Sequence, residues 1–139
     1  MSPVSKRASQ LNGIAAVHLA AAELSLRGYA VAVTARNTAG IDLFASSPRS
    51  GRTYGIQVKS NRLYDRPRSS FWLLGTNPVK SSPTYFFIFV DIHDPPAPNE
   101  FFVVMSSVVA KNSSRRRAEW NSFYRNAADP YIGRWDLLK

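Results

Sequence analysis

The residues with the types and spacing for chemistry lie between Gly40 and Ser60. Asp42 sits among apolar neighbours in a short run, Ile41 to Ala45. After a turn-rich stretch, Ser46 to Arg52 with Pro48 and Gly51, comes a second run from Thr53 to Ser60. In an extended chain alternate residues share a face, so Gln57 and Lys59 point one way and Ile56 and Val58 the other. An acid, an amide and an amine in strands that otherwise read as core must be satisfied, because a buried polar group without partners is costly. The group is therefore either a structural network, with Asp42 and Lys59 as a buried ion pair, or a site.

Other residues with chemical potential are weaker signals. His18 falls on an apolar helical stripe, where a hydrogen-bonded core histidine is the better reading. Asp91, His93 and Asp94 resemble a metal cluster, but they precede a proline-rich stretch, which favours turn chemistry. Arg62, Arg66 and Arg68 follow the lysine strand, and Arg115, Arg116 and Arg117 form a second run. Either set could clamp backbone phosphates, arginine being suited to bidentate contacts. A solvated face is the alternative reading. Tyr64 could stack on a base.

The elements that must position these groups are legible in outline. Residues 1–8 read as a loose basic N-terminus. Ser9 or Asn12 caps a helix running to about Arg27, with Leu11, Ile14, Ala15, His18, Ala22 and Leu26 as its buried stripe and Gly28 as its stop. Tyr29 to Thr34 is a short strand, followed by the hairpin. Asn61 to Ser70 reads as a basic loop and Phe71 to Leu74 as a strand. Thr84 to Ile92 is the most apolar run and the best central strand, and Glu100 to Met105 pairs with it. Ser106 or Ser107 caps a short helix, Val108 to Lys111. Residues 112–125 read as partly helical, with Trp120 and Phe123 sharing a face, and Trp135 and Leu138 pack down at the end.

Asp42 followed by Gln57-Val58-Lys59 resembles the D…(E/Q)-x-K core of the PD-(D/E)XK superfamily, the restriction-endonuclease-like and Holliday-junction-resolvase-like nucleases. The order of elements around the motif fits as well. The resemblance implies an α/β fold, a restriction-endonuclease-like mixed β-sheet flanked by helices, as a single domain over residues 1–139. It implies a metal-dependent endonuclease hydrolysing DNA phosphodiester bonds with Mg²⁺ or Mn²⁺. Asp42, the Gln57 amide oxygen and the Val58 carbonyl would bind metal, and Lys59 would orient the attacking water or stabilise phosphorane charge. It also implies a homodimer. The chain departs from the pattern twice. Gln57 stands where a glutamate is usual, and Val17 occupies the register of a helix glutamate. Glu23 is turned roughly 240° from Val17 at 100° per residue, so it does not replace that ligand. The rival readings are a catalytically decayed nuclease fold that binds DNA and a structural or partner-binding protein.

Composition bounds these readings. The 139 residues suffice for one core, and 45% are hydrophobic. The net charge of +9, from 18 Lys and Arg against 9 Asp and Glu, favours polyanionic partners, with nucleic acid first. The absence of cysteine excludes disulfides and thiolate metal sites. His18 and Glu23 interrupt what otherwise imitates a signal peptide, and no run approaches the length of a membrane span. The expected location is cytoplasmic, with no membrane partner.

Overall fold

A computed structural model describes residues 6–35, 40–63, 71–114 and 120–139. Helix α1 (Lys6–Leu26) is followed by strands β1 (Ala30–Val33), β2 (Leu43–Ser46), β3 (Thr53–Leu63), β4 (Phe71–Gly75), β5 (Tyr85–His93) and β6 (Glu100–Met105). Helix α2 (Ser106–Asn112), strands β7 (Ser113–Ser114) and β8 (Asn121–Tyr124), helix α3 (Arg125–Ala128) and two short 3₁₀ turns complete the described chain. Five strands form one mixed sheet in the order β1-β2-β3-β5-β6. The pairing of β3 with β5 is parallel and the other pairings are antiparallel. A smaller antiparallel sheet has the order β4-β8-β7.

The two faces of the large sheet carry separate cores. Ala16, Ala20 and Leu24 of α1 pack against Leu43, Ile56, Phe86, Ile88 and Val90. The opposite face presents Phe87, Phe89, Phe102 and Val104 to Trp72 and Phe123 of the small sheet and Val109 of α2. The run from Tyr85 to His93 lies between these layers, which explains why it is apolar without alternation. Its one buried charge, Asp91, is fully enclosed and held by the two terminal guanidinium nitrogens of Arg125, at 2.5 and 2.9 Å. Arg125 in turn lies 4.5 Å from the Trp72 ring centroid.

Several expectations need correction. α1 begins at Lys6, before either expected cap, and it buries a different stripe. Leu11, Ile14, Ala15, His18, Ala22 and Leu26 are all exposed, while Ala16, Ala20 and Leu24 are buried. Both faces of this helix are apolar, so periodicity alone does not say which one the sheet takes. Alanines on the inner face let the helix sit close to the strands. Residues 61–63 extend β3 and are not loop, because β5 runs beside them as a partner through Leu63↔His93. Ser106 does not cap α2. Its hydroxyl donates to the Ser82 carbonyl and accepts from the Ser82 N–H, both at 2.9 Å. In the partly helical stretch the described residues 113–114 and 121–124 are strands, and Phe123 is buried while Trp120 is 56% exposed. Trp135 and Leu138 do pack into the α1 side of the core. Among the described residues no helix is long and apolar enough to cross a membrane.

Candidate active site

The site forms where β2 stops pairing with β3. The register Leu43↔Ile56 places Asp42 opposite Gln57, just before β2 begins. The Asp42 N–H still donates to the Ile56 carbonyl, at 2.8 Å. One pleat further the ladder is replaced by a side chain: the Val58 N–H donates to Asp42 Oδ2, at 2.7 Å. This bond fixes the orientation of the carboxylate. Backbone groups of alternate residues point to the same side of a strand. Gly55 donates towards β5 through its bond to Thr84, so Ile56 and Val58 face β2. The Val58 carbonyl is thus directed past the end of β2, beside Asp42.

Gln57 and Lys59 lie on one face of β3, half-buried, next to Phe87 and Phe89 of β5. Burial lowers the Lys59 ammonium below the usual lysine range, and the nearby Asp42 carboxylate raises it part of the way back. Among the described residues no hydrogen bond or ion pair occupies its Nζ. Tyr85, at the start of β5, completes the group. Its hydroxyl lies 2.5 Å from the Gly40 carbonyl and 2.8 Å from Gln57 Oε1. Burial first, and the Asp42 charge second, push its ionisation up to about 12.

The hydroxyl has one proton and two acceptors facing it. The Gly40 carbonyl can only accept, so it takes that proton. With its amide turned through a half-circle, Gln57 would satisfy the same hydroxyl by donating from Nε2. That orientation would turn the amide oxygen away from Tyr85. A cavity of about 590 Å³ adjoins this side chain, lined by Gln57, Tyr85 and Phe87 on the sheet side and by Leu74, Val79 and Lys80 across from them.

The donor types suit a hard divalent cation: a fixed carboxylate, a side-chain amide and a carbonyl that leaves the ladder. The structure therefore brings together Asp42, Gln57, Val58 and Lys59. Arg62 is elsewhere. It lies in β3 on the face of Ile56 and Val58 and forms an ion pair with Asp94. Arg66, Arg68, Arg115, Arg116, Arg117 and Tyr64 lie outside the described residues. Val17 packs half-buried against the α1-side core, and Glu23 pairs with Arg27. His18 is exposed and not a core histidine. Asp91 and His93 are strand residues and do not belong to a turn. With Glu100 they form a grouping whose ligand atoms lie within 4.8 Å of one another, a donor set that could hold a metal. Arg125 already neutralises Asp91, and His93 Nε2 lies 2.9 Å from Glu100 Oε1.

Sequence reasoning missed Tyr85 and the cavity. The only signal for Tyr85 was a phenol leading an otherwise apolar strand. The cavity is built by residues 74–80, whose position depends on the small sheet.

No protein-family model matches the chain, and no curated protein is significantly similar to it. Among solved structures, a bacterial homing endonuclease, I-Ssp6803I, superposes with a TM-score of 0.61 at 15% identity. The match covers 98% of this chain and 92% of that one. The likeness is one of fold, and the fold is of a kind that a nuclease uses.

Proposed function

We propose that the chain is a metal-dependent nuclease of the PD-(D/E)XK type that hydrolyses DNA phosphodiester bonds. The observation that carries this reading is the Asp42 carboxylate locked by the Val58 N–H at the end of the β2 ladder, with Gln57 and Lys59 on the adjoining face. The fold likeness to a homing endonuclease supports it. Asp42, Gln57 and the Val58 carbonyl would hold Mg²⁺ or Mn²⁺, which when bound supplies Lewis-acid polarisation of the phosphoryl oxygen. Lys59 shares the β3 face with Gln57 and feels the Asp42 charge. Its lowered proton affinity suits it to orient a water for attack and to donate to negative charge developing on the phosphate. Tyr85 holds the Gln57 side-chain amide through its hydroxyl. Arg66, Arg68 and Arg115 to Arg117 would supply phosphate contacts, and the charge of +9 attracts the polyanion.

A second reading is favoured by one feature: the group contains a single carboxylate, because Gln57 and Val17 are neutral. A fold that keeps DNA binding and has lost cleavage would look the same. Cleavage of linear, supercoiled, single-stranded and branched DNA in Mg²⁺ or Mn²⁺ separates the two. The nuclease reading expects metal-dependent cleavage that falls by at least about 10²-fold in both Asp42→Ala and Lys59→Ala. DNA binding without cleavage under any condition supports the second reading, and cleavage unaffected by either substitution refutes the site.

A further inference from the structure

The cavity beside Gln57 is shaped by a missing side chain. The register sets Gly55 between Phe44 of β2 and Tyr85 of β5, and residues paired in this way share one face of the sheet, here with Gln57 and Phe87. It is the face turned away from α1. Gly55 leaves a gap of two strand spacings, about 9–10 Å, between two aromatic residues. Ile41 lies over this gap: a Cβ on Gly55 would fall 3.0 Å from Ile41 Cδ1. Phe44 is 38% exposed and belongs to neither core. We propose that the cavity takes one unpaired nucleobase of the DNA, beside the phosphodiester that the Asp42 group would cut. The proposal rests on the nuclease reading and narrows its substrate class to DNA with an unpaired nucleotide next to the scissile phosphate.

The chemistry of the walls selects a base. Ile41, Phe44 and Phe87 line the sheet side and Leu74 and Val79 the far side. Among the described lining residues there is no carboxylate, and the one charge is Lys80, which is exposed. Apolar walls with no acid and a single cation suit a neutral flat ring carried by an anionic chain. Bases stack on aromatic side chains with little regard to sequence. Asn77 brings an amide that can hydrogen-bond a base edge. The volume of about 590 Å³ falls in the range of about 300–1,000 Å³ found for small-molecule sites. A base pair still stacked in its helix cannot enter a cavity of that size, so the base must arrive unpaired. Gln57 belongs both to this cavity and to the Asp42 group, so the two lie side by side.

The far wall is anchored by the fold itself. Gly75 pairs with Asn121 of β8, and the buried Asn121 side chain donates to the Asn77 carbonyl, at 2.8 Å. At the other end Ser82 exchanges two hydrogen bonds with the Ser106 hydroxyl. A slot formed in advance loses little freedom when it is filled. Extrusion costs least for a base that has no partner, so an unpaired nucleotide gains most from such a slot.

Fluorescence anisotropy of the whole chain, in EDTA so that no strand is cut, tests the proposal. The probes are labelled duplexes of one sequence, either fully paired, with one unpaired adenosine, or with an abasic residue in the adenosine's place. The wild type should bind the unpaired base at least about fivefold more tightly than the abasic residue. Phe44→Ala, at an exposed position, should keep the circular dichroism of the wild type and lose that difference. Phe44→Tyr keeps the ring and should retain it. Equal binding of the base and abasic duplexes by the wild type, or a difference that survives in Phe44→Ala, overturns the proposal. Metal-dependent nicking together with equal binding would refute the base site and spare the nuclease reading. A base-dependent difference in a protein that never cuts would keep the base site and refute cleavage.

Discussion

At the scale of single residues, the site depends on how three polar groups are held. Lys59 is lowered by burial, so the unfolded chain binds its proton more tightly than the folded chain does. Stability therefore rises as pH increases from the folded-state pKa towards the ordinary lysine value. Denaturant midpoints measured across the alkaline range should show this gain in the wild type and not in Lys59→Met. Tyr85 acts in the opposite sense. Its hydroxyl ionises at about 12 in the fold and at about 10 when unfolded, so stability is lost as pH rises through that window. Tyr85→Phe should remove that loss and delete one late-titrating phenol from the ultraviolet titration. The same variant releases the Gln57 amide, and metal affinity measured by calorimetry should fall several-fold while the fold is retained. The grouping of the acid, amide and lysine of the proposed site is legible because polar residues stand out in apolar strands. Tyr85 is not, because the proximity that gives it meaning comes from the parallel pairing of β3 with β5.

At the scale of elements, the strands were more legible than the helix faces. β6 falls at the expected residues, and β5 within one residue of them, because a long apolar run bounded by prolines has few alternatives. The α1 face was misread because Leu11 and Ile14 are larger than the alanines that touch the sheet. Ala20 is fully buried, so Ala20→Leu overfills the layer and should cost about 1–3 kcal/mol, whereas Ala22→Leu on the exposed face should leave monomer stability nearly unchanged. Chemical denaturation of the two variants checks this. β5 carries the other structural commitment. Arg125→Ala would leave Asp91 buried and uncompensated, and a loss of about 3–5 kcal/mol is expected. The additional change Asp91→Leu should recover much of that loss. Failure to recover it would show that the charge pair does not set the cost.

At the scale of the whole molecule, the net charge of +9 and the proposed nuclease reading imply the same polyanion. DNA affinity should fall steeply with salt, with a logarithmic slope of about 0.9 per phosphate neutralised. Arg66→Ala with Arg68→Ala should flatten that slope. Arg62→Ala should change it less, because Asp94 already pairs with that side chain. Charge and composition narrowed the class of partner without reference to the fold. The arrangement of the layers and the cavity depends on contacts between distant segments, which no local pattern encodes. Metal-dependent cleavage is tested by the nicking of supercoiled plasmid in Mn²⁺ by wild type and by Asp42→Ala purified identically. Metal-dependent nicking by the wild type is expected, with at least about 10²-fold less by the variant. Equal nicking by the two proteins would contradict that expectation.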